Sequence, residues 1–99
     1  MHKGVRIFIT GIFNHPVLDK FLLNFTSKHD LQGSMQKSTE EVEQSLTIFV
    51  VGDKDAIELL IDELYEEKNG LSINELDIKP LEEPKDFRGV FRIVENLSR

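Results

Sequence analysis

The sequence predicts an α+β sandwich of the split-βαβ kind, with two helices laid on one face of an antiparallel sheet. Three observations carry that expectation. Apolar residues alternate with a period of two in Val5–Thr10 and again in Glu43–Val51. The segments around Val17–Phe25 and Ile57–Leu64 instead carry helical spacing. The elements follow in the order strand, helix, strand, strand, helix, strand, and a short further strand ends the chain.

Each element has its own signal. In the first strand Val5, Ile7 and Ile9 point one way, and Arg6, Phe8 and Thr10 the other. Gly11 and a loop from Ile12 to Pro16 lead into the first helix. Pro16 suits the first helical position, where a missing N–H costs nothing. Val17, Leu18, Phe21, Leu22 and Phe25 form one buried stripe, and Lys28 and His29 favour the helix C-terminus. A polar second strand, Gln32 to Lys37, is followed by the loop Ser38 to Glu41. The third strand sets Leu46, Ile48 and Val50 against Thr47, Phe49 and Val51. Asp53 is a good N-cap for the second helix, where Ile57, Leu60, Ile61 and Leu64 repeat at i, i+3, i+4 and i+7. Asn69-Gly70 stops that helix, and a fourth strand runs from Leu71 to Lys79. Pro80 and Pro84 bracket an acidic connection, and Val90 to Val94 forms the closing strand. Right-handed crossovers put both helices on the same face, a ferredoxin-like βαββαβ arrangement in one domain spanning residues 1–99.

Composition narrows the function classes. The absence of cysteine excludes disulfides, iron–sulfur clusters and thiolate zinc sites. No apolar run has the length of a membrane span, and the N-terminus lacks the organisation of a signal peptide, so the expected location is the cytoplasm. Charge is uneven: residues 1–39 carry a net +3 and residues 40–99 a net −9, giving −6 in all. An acidic second half disfavours nucleic acid and anionic membranes as partners, but solvated helix and loop faces are the simpler cause of the asymmetry. His2, His15 and His29 are scattered and share no ligand spacing, and Glu40-Glu41 and Glu82-Glu83 read as solvated turns, so no metal or other cofactor is expected.

The strand–glycine–loop–helix run from Val5 into Phe25 is the arrangement that gathers backbone N–H groups and a helix N-terminus around an anion. With Gly33 on the second strand, Gly52-Asp53-Lys54-Asp55-Ala56-Ile57 at the entry to the second helix, and the tail with Pro84, Phe87, Gly89, Phe91 and Ile93, the chain resembles the acylphosphatase family from about Val5 to Glu95. The resemblance implies a phosphate-cradling loop after Gly11. It implies an arginine eight residues after that glycine to bind the acyl phosphate, and an asparagine four residues after Gly33 to orient the attacking water. Here those two slots hold Asp19 and Lys37, and the cradle reads Phe13-Asn14-His15-Pro16.

The departure is unfavourable to phosphate. Losing the arginine forfeits charge-assisted hydrogen bonds of roughly 1.5–3 kcal/mol per group. A carboxylate about 4 Å from a phosphate charge adds roughly 4 kcal/mol of repulsion at an effective dielectric of about 20. The combined loss, above about 5 kcal/mol, exceeds roughly a thousandfold in rate. Pro16 removes an N–H from the cradle, and His15 stands where the family has a conformationally free glycine. The expected function is that of an acylphosphatase-like domain with a degenerate active site, acting as a small binding or regulatory module. No catalytic residue is expected, and Asn14, His15, Val17, Leu18, Lys20 and Lys37 are the candidates for a residual anion loop. The alternative is a working acylphosphatase in which Lys37 or Lys20 supplies the cation and His15 a proton. Read structurally, Lys20 is a solvated helix residue, Lys37 a polar strand end, and Asp19 an acid that stabilises the first helical turn.

A second alternative is an RNA-binding module of the same βαββαβ order, since Phe8 and Phe49 fall on the sheet face away from the helices, where bases can stack. The segment Ser45–Val51 lacks the basic residue, glycine and multiple aromatics of such a module, and the net charge has the wrong sign. Nucleic acid is therefore disfavoured, and Phe8 and Phe49 read instead as a cross-strand packing pair. Ser/His/Asp chemistry lacks the turn that presents its nucleophile. For an interaction module, the candidate surface is Phe8, Phe13, Phe49 and Val51, facing an unknown protein partner, with the chain a monomer or weak dimer.

Overall fold

The computed structural model describes residues 2–39, 44–67, 71–81 and 88–95. The elements are β1 (His2–Phe13), α1 (His15–Lys28), β2 (Gln32–Thr39), β3 (Gln44–Asp53), α2 (Lys54–Tyr65), β4 (Leu71–Pro80) and β5 (Phe91–Glu95). They form one sheet in the order β4-β1-β3-β2-β5. The pairs β1/β3, β1/β4 and β2/β3 are antiparallel, as expected, and the short fifth strand adds in parallel beside β2. The expected turn at Asn69-Gly70, most of the acidic connection with Pro84 and Phe87, and the pairs Glu40-Glu41 and Glu82-Glu83 lie outside the described residues.

Both helices lie over one face. Leu18 and Leu22 of α1 and Ile57, Leu60 and Leu64 of α2 are buried against Val5, Ile7, Ile9, Met35, Leu46, Ile48 and Val50 of the sheet. The alternation read from β1 and β3 thus holds, with Ile7 and Ile48 fully enclosed. Asp53 caps α2 as expected, its carboxylate accepting the amides of Asp55 and Ala56 at 3.1 and 3.3 Å.

The main departure concerns the loop expected from Ile12 to Pro16. β1 runs on to Phe13, and Asn14 alone separates strand from helix. The extension is held by β4: past a bulge at which Asn74 is the extra residue, Gly11 pairs with Ile73 and Phe13 with Leu71. Phe13 therefore joins the core, 7% exposed. Pro16 stands at the second helical position, not the first.

Two glycines answer to backbone crowding. A Cβ on Gly33 (φ +152°) would stand 1.8 Å from the Phe49 carbonyl oxygen, and one on Gly11 (φ +155°) 2.0 Å from that of Ser72. Gly33→Ala is expected to cost at least about 1–3 kcal/mol, the usual range for a strained backbone position. Urea denaturation measures this directly, and Gly89→Ala, at a turn with open space around it, serves as the reference for φ strain without a clash.

Candidate functional site

The junction of β1 and α1 is built from capping. Asn14 has extended geometry; its Oδ1 accepts the Val17 amide at 3.4 Å and its carbonyl accepts the Leu18 amide at 2.9 Å. Pro16 has no N–H to offer. Of the candidate anion loop, the Val17 and Leu18 amides are thus engaged within the helix start, and the Leu18 side chain is core. His15 supplies the remaining amide of the first turn. The first turn of the helix after this loop is thus capped by Asn14.

Asp19 is the fifth residue of α1, beyond the first turn, so the dipole role expected of it there does not apply. It meets Lys37 instead. On β2 the residues Gly33, Met35 and Lys37 share the helix-facing side, which carries the lysine beneath α1 rather than to a solvated strand end. The Lys37 Nζ donates to Asp19 Oδ2 at 2.7 Å, with the lysine side chain 10% exposed and the aspartate 26%. The two positions singled out by the resemblance are thus in contact, opposite in charge and joined to each other. Asp19 Oδ1, His15 Nδ1 and Gln44 Oε1 are buried near this end of the sheet with no protein hydrogen-bond partner among the described residues.

Lys20 does not converge on this pair. One residue further along a helix is about 100° further round. Lys20 is exposed and lines a groove of ≈ 640 Å³ on the outer side of α1, with Pro16, Val17, Phe21, Asn24, Phe25 and Lys28. An anion approaching the β1–α1 junction meets an acidic side chain, a lysine whose charge is already matched, and two engaged amides. Among the described residues no group of three or more His, Cys, Asp or Glu side chains is placed to hold a metal ion. No helix among the described residues is long and apolar enough to cross a membrane.

The candidate interaction surface contracts. Phe13 is core, and Val51, 6% exposed, is buried at the corner where the Leu81 amide bonds the Gly4 carbonyl at 2.9 Å. Phe8, 37% exposed, and half-buried Phe49 remain on the face away from the helices. Register places Phe8 opposite Thr47 and Phe49 opposite Arg6, so the two rings are diagonal neighbours rather than a facing pair.

The comparisons with known proteins rest on structure. No model of a known protein family matches the chain, and no curated protein matches it. Among solved structures, an acylphosphatase from Bacillus subtilis superposes with a TM-score of 0.77 at 15% identity, over 95% of this chain and 99% of that one. An acylphosphatase from Coxiella burnetii gives 0.74 at 13% identity, over 93% and 92%. A full-length HypF crystallised in a phosphate- and nucleotide-bound form gives 0.75 at 27% identity, over 97% of this chain but only 12% of the HypF chain. The chain therefore has the acylphosphatase-like ferredoxin fold, with β5 added to the edge of the sheet.

Proposed function

We propose that this chain is a catalytically inactive acylphosphatase-like module that works by binding or regulation, and that its ancestral anion site is filled by the chain's own ion pair. The 2.7 Å bond between Lys37 and Asp19 carries the reading. Electrostatics support it. Inserting a phosphate there requires breaking an ion pair whose lysine is almost completely buried, and leaves the Asp19 carboxylate beside a like charge. The same bond weakens the rescued-enzyme alternative, because the lysine that would have to bind substrate is already committed.

Two measurements test this. Hydrolysis of an acyl phosphate such as benzoyl phosphate is expected to proceed no faster with the protein than in buffer. Robust turnover that Lys37→Ala abolishes would overturn the proposal in favour of a working enzyme. In phosphate titrations followed by NMR, the amides of residues 14–19 are expected to stay still in the wild type. They should shift in the double variant Asp19→Arg/Lys37→Asn; if they do not while the fold persists, the cap at Asn14 and Pro16 has closed the cradle independently of charge.

A stability cycle examines the ion pair itself. Lys37→Ala leaves a largely buried carboxylate unmatched and is expected to cost about 2 kcal/mol, short of the ~3–5 of fully buried pairs because water reaches Asp19. The double variant Asp19→Leu/Lys37→Met, which replaces the pair by apolar groups, should recover most of that loss. Each kcal/mol is read as a shift of about 4–8 °C in Tm for a domain of this size.

A further inference from the structure

The two edges of the sheet are unlike. The β4 edge carries exposed Ser72, Asn74, Glu75, Asp77, Lys79 and Pro80 and is distorted by the bulge at Asn74. Charges, a proline and a bulge are the usual means by which an edge is kept from pairing with another chain. The β5 edge has neither proline nor bulge, although Arg92 and Glu95 are charged. Its residues are Phe-Arg-Ile-Val-Glu, Val94 within it and Val90 just before it are 45% and 43% exposed, and among the described residues no strand lies beyond it.

The direction of its free hydrogen-bonding groups follows from register. Gly33 pairs with Phe91 in the parallel ladder and donates its amide to the Val90 carbonyl at 2.9 Å. In such a ladder alternate residues turn their N–H and C=O to the same side. Val90, Arg92 and Val94 therefore face β2, and Phe91 and Ile93 turn theirs outward. Beside this edge, between β5 and the flank of α1, lies a cavity of ≈ 350 Å³ lined by Leu23, Thr26, Ser27, Asp30, Leu31 and Phe91, among others. Leu23 is 45% exposed on that flank. A strand added to β5 would send alternate side chains onto α1 and into this cavity.

We propose that the β5 edge and the α1 flank together form a strand-addition site for an extended segment of another protein. The segment places one apolar side chain in the cavity against Leu23 and Phe91, and a basic side chain beside Asp30, the acidic group of the lining. Backbone hydrogen bonds to Phe91 and Ile93 give affinity, and the cavity gives selectivity. A second copy of this chain is a poorer occupant. Symmetric antiparallel pairing about Arg92 opposes that arginine to itself, and pairing about Ile93 or Val94 sets Glu95 opposite Phe91 or Ile93. The proposal deepens the binding-module reading and rests on it.

The test uses a short synthetic peptide alternating valine and threonine, with one central lysine, titrated into labelled full chain. Amides of Val90–Val94, Leu23 and Ser27 should shift, and those of Phe91 and Ile93, freely exchanging with solvent in the isolated protein, should become protected. Leu23→Asp, on an exposed helical position, should weaken binding roughly tenfold or more. The same peptide N-methylated at alternate amides should not bind. The proposal is overturned by any of four results: protection of Phe91 and Ile93 in the isolated protein, shifts at these amides on changing protein concentration alone, no response to peptide, or an equal response to the N-methylated peptide. None of these readouts involves phosphate or turnover, so failure here removes the edge site while the hydrolysis assay decides the catalytic reading separately.

Discussion

Lys37 places an ammonium group in the layer between β2 and α1, with its side chain only 10% exposed. Burial opposes a cation, since desolvation costs several kcal/mol. The Asp19 carboxylate, 2.7 Å away, offsets that cost. The residue opposite Lys37 in the α1 layer therefore has little freedom. A neutral side chain at position 19 removes a carboxylate from beside a largely buried ammonium, and a basic one adds repulsion. The pair also ties α1 to β2 at the point where the chain passes without a loop from β1 into the helix. Site chemistry and local architecture at this junction are one constraint.

Much of the fold was legible because its signals are periodic. Ile57, Leu60 and Leu64 lie on the buried face of α2, and Ile7, Ile9, Ile48 and Val50 on the covered face of the sheet, where their spacing put them. The length of β1 was not legible. Gly11 and Pro16 are loop signals locally, but β4 continues to pair with β1 past the bulge at Asn74, and that contact spans 58 to 62 residues of sequence. Phe13 was misplaced for the same reason: in a loop it would be exposed, and in a strand it faces the core. Val51 follows the alternation onto the outer face and is nonetheless buried, which no periodicity encodes.

The site was half legible. Position by position, Asp19 and Lys37 read as two separate losses, each with a bland explanation. Their separation of 18 residues says nothing by itself of contact. The available signal was joint: if two slots converge on one small ligand, their side chains converge on each other when the ligand is gone, and opposite charges in both slots then form a pair. The buried end of Gln44 carried no such signal, since it belongs to no spacing or motif, and His15 was marked only through its place in the cradle.

The matched glycines and the matched slots speak to different things. Gly11 and Gly33 stand where another strand's carbonyl oxygen leaves no room for a Cβ, so the sheet demands them whatever the protein does. Their presence is evidence about fold. The charged positions are joined through their side chains, and an exchange of side-chain chemistry there leaves the sheet's backbone packing to the glycines. In this chain the glycines keep the sheet, and the charges at positions 19 and 37 meet each other at 2.7 Å. On the reading proposed above, the outward backbone groups of β5 and the cavity of mixed polarity beside them are where a partner strand would add.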